Sequence, residues 1–129
     1  MIEILRLDTE IAGTKATRLI ALVGGEFIGS VDLEFKNRRV AQFARLFIKA
    51  DRRGCGWGSQ LVEMCITLAQ GQGCESISAT LDPGNHEVLP FYQRLGFILA
   101  CEWGDDGLLL ISKSLAVEID LVAQRRARE

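Results

Sequence analysis

The sequence predicts a mixed α/β domain on one mostly antiparallel sheet. Two observations carry this. Over the first third of the chain, short apolar runs alternate and are broken by turn residues. From about Gly58 the apolar spacing changes to that of a helix, and strand and helix patterns then follow in turn to a closing hairpin. The order β-meander, helix, strand, helix, hairpin places the helices against a single sheet.

"IEILRL", residues 2–7, reads as a short strand, and the polar stretch "DTEIAGTKAT", residues 8–17, as a loop with no room for a full helix. The apolar runs Leu19 to Val23 and Phe27 to Phe35 flank the pair Gly24-Gly25, which predicts a β-hairpin. "NRR" at 37–39 turns the chain into a further strand, Val40 to Ile48. Strict alternation there sets Gln42, Ala44 and Leu46 on one face and Phe43, Arg45 and Phe47 on the other. Leu61, Cys65 and Leu68, with Val62 and Ala69, mark a helix from about Gly58 to Gln70 that Gly71 and Gly73 end. "ESISATL" is a strand with Ile77, Ala79 and Leu81 on one face, and "DPGN" at 82–85 is a turn. A shorter helix holds Phe91, Tyr92 and Leu95 and stops at Gly96. "FILACEW" and "GLLLISKSL" form the last hairpin around "GDDG", residues 104–107.

The chain has 129 residues, 48% of them apolar, and a formal charge of −2. That fits one folded domain with a proper core and gives no support for disorder. The charge offers no basic field for nucleic acid, and no apolar run approaches the length of a membrane span. The N-terminus alternates and carries acids, so it reads as neither a signal peptide nor a lipidation site. Cys55, Cys65, Cys74 and Cys101 form no CxxC pair and His86 has no partner at zinc spacing, so a reducing cytoplasm and no metal are expected.

"DRRGCGWGSQL", residues 51–61, sets Gly54, Gly56 and Gly58 where a strand gives way to a helix. The first amides of a helix have no intrahelical partner and lie at the positive end of its dipole. A loop without β-carbons lets oxyanions reach those amides, and an adjacent arginine adds charge-assisted hydrogen bonds. The stretch therefore suits a pyrophosphate; a glycine-rich turn kept for packing is the other reading. It is not a P-loop, since no lysine follows the glycines. Nor is it a dinucleotide fingerprint, since the spacing is G-x-G-x-G and the preceding strands are antiparallel.

Arg53-x-x-Gly56-x-Gly58 resembles the (Q/R)-x-x-G-x-(G/A) signature of the GNAT superfamily of N-acetyltransferases, which binds the pyrophosphate of acetyl-CoA. A second segment, "NHEVLPFYQRLGF", is similar to the family's later N-x-x-A-x-x-F-Y-x-x-x-G-F through Asn85, Phe91, Tyr92, Gly96 and Phe97. With the matching order of elements, the resemblance spans roughly residues 1–115. It implies a sheet splayed at an acyl-CoA cleft, acetyl-CoA as co-substrate and an amine, small molecule or protein, as acceptor. Leu46, Phe47, Ile48 and the following Lys49 would pair with pantetheine, an amide near Ile48 polarising the thioester carbonyl. The amides of Arg53, Gly54, Cys55, Gly56, Trp57, Gly58 and Ser59 would hold the diphosphate, with Arg52 or Arg53 adding charge. Trp57 reads first as a residue packed under the loop. Tyr92 is either the acid that protonates the departing thiolate or a core tyrosine beside Phe91. Asn85 contacts pantetheine or caps a helix.

Three features depart from the family pattern. The two helices that normally follow the first strand and shape the acceptor site have no room in residues 8–17. Pro90 falls inside the second motif, so that helix starts near Leu89 and shifts Asn85 from its usual place. An obvious general base is missing: Glu34, with Asp32 behind it, is the best candidate, beside its reading as a solvated strand charge. Glu102, Asp105 and Asp106 offer a surface for a cationic acceptor. Cys55 near a helix N-terminus is expected to ionise readily, but nothing demands an acyl-enzyme. Two functions stay open: an N-acetyltransferase with direct attack in a ternary complex, and a non-catalytic acyl-CoA-binding or interaction module. The tail 116–129, apolar at Val117, Ile119, Leu121 and Val122, reads as a helix that either forms a homodimer contact or packs on its own subunit.

Overall fold

The computed structural model describes residues 2–82, 87–103 and 107–115, with the side chains of Glu102 and Trp103 excepted. Asn85, His86, Asp105, Asp106, most of both predicted turns, and the tail 116–129 lie outside the described residues. Seven strands form one sheet: β1 Ile2–Ile11, β2 Thr14–Val23, β3 Glu26–Phe35, β4 Val40–Ile48, β5 Ser76–Leu81, β6 Ile98–Trp103 and β7 Leu108–Ser114. Their order across the sheet is β1-β2-β3-β4-β5-β7-β6, and only β4 and β5 run parallel. Helix α1 is Trp57–Gly71 and helix α2 is Leu89–Arg94, so Pro90 sits in the first turn, where a missing amide costs nothing.

Residues 8–17 correct the sequence reading. They are not a loop: β1 runs to Ile11, Ala12 and Gly13 turn with φ of +50° and +80°, and β2 begins at Thr14. Two consecutive positive φ values give the turn whose twist matches paired strands. Asp8, Thr9 and Glu10 escaped the pattern because β1 is an edge strand, where charged residues block pairing with other chains.

One face of the sheet carries the core. Leu19, Val31, Leu33, Ala41, Phe43, Ile77, Ala79, Leu109 and Ile111 form a single buried cluster with Leu61, Val62, Cys65 and Ala69 of α1 and Tyr92 of α2. The α1 positions recur at helical spacing, and the chain leaves the helix through Gly73 at φ +81°, the Cys74 N–H reaching back to the Ala69 carbonyl. Among the described residues, no helix covers the opposite face, which carries Asp32 and Glu34 across from Leu33.

A bulge decides what β4 presents. Asp32 pairs with Ala44 and Ser30 with Phe47, so β4 has one residue more than β3 in this interval, and Arg45 takes φ +56°. Strict alternation fails there. Phe43 points into the core as expected, but Arg45 and Phe47 fall on the open face, Arg45 against Asp32 and Glu34 and Phe47 stacked on Phe27. Leu46 and Ile48 turn to the core instead. Gly29 makes room for the bulge, since a β-carbon there would meet the Phe47 carbonyl oxygen and the Ile48 side chain.

Candidate functional site

The two parallel strands separate. β5 pairs with β4 only through Val40↔Ser76, Ala41↔Ile77 and Gln42↔Ser78, so from Phe43 to Ile48 β4 has β3 on one side and, among the described residues, no paired strand on the other. The Lys49 N–H donates to the Ile28 carbonyl at 2.8 Å, on the β3 side. Groups of successive residues in a strand point opposite ways, so the Ile48 N–H and C=O face the gap. The Ile48 carbonyl is there met by the Nε–H of Arg53 at 3.0 Å.

The gap is a cleft of about 810 Å³. It collects Leu46, Phe47, Ile48, Arg52, Arg53, Gly54, Gly56, Trp57, Gly58, Ser59, Phe91 and Tyr92, twelve of the residues singled out in the sequence. Cys55 is exposed outside the cleft wall, its thiol 3.8 Å from the Arg53 carbonyl. Glu34 is also off the wall. The sequence reading missed Arg45, Thr80, Asp82 and Arg94, which do line the cleft. Asp82 looked like the first residue of a turn, and only the parallel pairing of β5 with β4 brings it here.

At one mouth stands the N-terminus of α1. Gly56 is its N-cap in the left-handed region, φ +85°, and no side chain caps the helix. Gly54 is also left-handed at φ +79°. β-Carbons at these two positions would meet nothing within 4 Å, so backbone conformation rather than crowding calls for glycine. The first-turn amides of Trp57, Gly58 and Ser59 therefore have no cap to satisfy them. The nearby cations are partly committed. Arg52 Nη2 pairs with Glu26 Oε2 at 2.8 Å and Lys49 Nζ with Glu26 Oε1 at 3.2 Å. The hydrogen bond from Lys49, helped by Arg52, holds the Glu26 carboxyl below the usual range.

Tyr92 lies deeper. Its ring is 7% exposed and packs on Phe43, Phe91 and Phe97 with centroids at 5.7, 4.9 and 6.0 Å. Burial raises the phenol pKa, so the hydroxyl keeps its proton at neutral pH and can donate but not act as a base. The ring of Tyr92 is thus part of the core, and the residue also lines the cleft. Burial also pushes the Cys65 thiol up to about 12, which marks it as an inert core group.

The open face beside the cleft carries an ion-pair cluster. Asp32, 2% exposed, accepts two bonds from Arg18 at 2.7 and 3.0 Å and one from Arg45 Nε at 2.6 Å. Glu34 accepts from Arg45 Nη2 at 3.0 Å and pairs with Lys36 at 2.9 Å. The Arg18 hydrogen bond at Asp32, and the Lys36 hydrogen bond at Glu34, are the chief reasons both carboxyls lie below their ordinary values. Groups depressed in the folded state stabilise it fully above their unfolded pKa, roughly 4, and lose that contribution as pH falls through the folded values. Urea unfolding midpoints of the native protein are therefore expected to drop below about pH 4 more steeply than those of Asp32→Asn. Equal pH slopes would show that the cluster contributes no such stability.

Among the described residues, no group of three or more His, Cys, Asp or Glu side chains is placed to hold a metal. A splayed parallel pair beside an uncapped, glycine-led helix is the architecture that the sequence resemblance implies. The chain belongs to the acetyltransferase (GNAT) family, whose model matches residues 3–97. It is 35% identical over 52 residues to an L-methionine sulfoximine/L-methionine sulfone acetyltransferase of Pseudomonas aeruginosa, a match covering 40% of this chain and 30% of that protein. The match thus spans less than a third of that relative's length. In structure it is similar to a GNAT family acetyltransferase from Elizabethkingia anophelis with acetyl-CoA bound, at TM-score 0.74 and 15% identity over 88% of this chain and 98% of the other. It is also similar to the paia N-acetyltransferase of Thermoplasma acidophilum in complex with coenzyme A, at TM-score 0.69 and 18% identity over 77% and 60% of the two chains. These likenesses agree with the seven-strand, mostly antiparallel fold.

Proposed function

We propose that the protein is an N-acetyltransferase that moves the acetyl group of acetyl-CoA to an amine by direct attack in a ternary complex. The observation that carries this is one cleft joining the uncapped N-terminus of α1, the unpaired inner edge of β4 and the Tyr92 ring. The α1 amides and Arg53 take the diphosphate, and pantetheine runs along β4 in place of a β5 neighbour. To pair with the Ile48 carbonyl it displaces the Arg53 side chain, which is then free to meet phosphate. The acetyl relatives named above are consistent with this co-substrate.

In the reaction the amine nitrogen forms a bond to the thioester carbonyl carbon, and the carbonyl electrons move onto oxygen. The Ile48 N–H stabilises that oxyanion. The C–S bond then breaks, Tyr92 gives its proton to the departing thiolate, and the attacking nitrogen loses a proton through water. Asp82, the one carboxylate on the described cleft wall, takes that proton, while Glu34 serves the site by holding Arg45. Tyr92 recovers its proton from solvent when CoA leaves. With no acyl-enzyme, initial rates measured against both substrates should give intersecting double-reciprocal lines. Parallel lines would mean an acylated residue and overturn direct attack.

A further inference from the structure

The acetyl-transfer chemistry gives Arg45 no direct task, although it lines the cleft. Arg45 holds φ +56° at the bulge, a backbone conformation that costs a non-glycine residue of order 1 kcal/mol. The bulge delivers its side chain to the open face, where two β3 carboxylates fix it through Nε and Nη2. Arg18 and Lys36 fix those carboxylates in turn.

A guanidinium has five N–H donors. Asp32 accepts from Nε and Glu34 from Nη2. Nη1 and the second hydrogen of Nη2 have no partner among the described residues, and the side chain is 51% exposed. Arg18, Lys36 and Arg45 against Asp32 and Glu34 leave the cluster at three positive minus two negative, a net +1. The diphosphate end of the cofactor claims the mouth at α1, which leaves the acceptor the part of the cleft lined by Arg45 and Thr80. A fork held in place by its own ion pairs matches a carboxylate and spares the ordering cost of a free arginine.

We propose that Arg45 determines acceptor specificity by holding the acceptor's carboxylate, so that the acceptor is a small amino acid and not a simple amine or a polyamine. This rests on the acetyltransferase reading of the cleft, and the test separates the two. The CoA-loaded protein, which cannot turn over, is titrated calorimetrically with the standard L-amino acids and with the decarboxylated amine and the carboxamide of each. At least one amino acid is expected to bind ~10–100-fold more tightly than its amine and carboxamide, the range for a charge-assisted pair. Arg45→Gln should bring that ratio close to one. Arg45→Lys, which keeps a charge beside Asp32 and so protects the fold, should lose most of it for want of the fork.

An unchanged ratio in both variants, or amines binding as well as acids, overturns the proposal. Label transfer from acetyl-CoA to a panel of simple amines is scored separately. Acetylated amines with no acid bound leave the transferase reading standing and remove the carboxylate site. Arg45-dependent acid binding with no transfer to any compound removes the transferase reading and keeps the site. Failure of both assays removes both.

Discussion

Gly56→Glu is expected to abolish acetyl-CoA binding, with a loss of at least ~100-fold in calorimetric affinity. Two effects act together. Gly56 has φ +85° at the N-cap of α1, where a side chain strains the backbone by about 1–2 kcal/mol. The new carboxylate then competes for the first-turn amides and repels the diphosphate they would otherwise hold. Gly58→Ala is the matched control. Its β-carbon would sit 3.6 Å from Phe91 and 3.7 Å from Ile48, ordinary contact distances, so the fold accepts it and any affinity lost reports ligand approach alone. Native-like binding by Gly56→Glu would mean that the glycine loop is only a turn and that CoA, if bound, lies elsewhere.

Tyr92→Phe should lower kcat by about 100-fold while leaving acetyl-CoA affinity and the unfolding midpoint near native values. The expectation follows from the division of labour within the side chain. Its ring is packed by Phe43, Phe91 and Phe97, and phenylalanine keeps those contacts. Only the hydroxyl, which holds its proton because burial raises its pKa, is removed. The loss should shrink for a thioester whose leaving thiol is more acidic, since such a thiolate needs less help from an acid. A purely structural tyrosine would show the reverse pattern, lowered stability with kcat unchanged.

Most of the fold was legible because the sheet has one buried face. Apolar alternation in β2, β3 and β5, the helical spacing of Leu61, Cys65 and Ala69, and Pro90 at the start of α2 all follow from burying that face. Two features were not. β1 extends through Asp8, Thr9 and Glu10 because an edge strand needs no apolar alternation, so the first hairpin looked like a loop. The β4 bulge breaks strict alternation at Arg45, whose left-handed backbone no side-chain pattern announces.

The same division runs through the site. The glycines at 54, 56 and 58 and the Phe91-Tyr92 pair stood out because their residue types are unusual at a helix start or match a family motif. Arg45 and Asp82 stayed hidden because tertiary pairing alone brings β4 and β5 to one cleft. Glu34 was visible as an acid on the right strand, but its pairing with Arg45 and Lys36 depends on the folded register.

Isotope transfer tests the proposed acetyl transfer most directly. Acetyl-CoA labelled with ¹³C in its acetyl group is incubated with the native protein and with pooled primary amines and amino acids, and the products are read by mass spectrometry beside a free-thiol assay. The expected result is label in an amide on an acceptor nitrogen, matched mole for mole by released CoA thiol. Tight acetyl-CoA binding with no label on any acceptor, or thiol release with the label recovered as acetate alone, would contradict it.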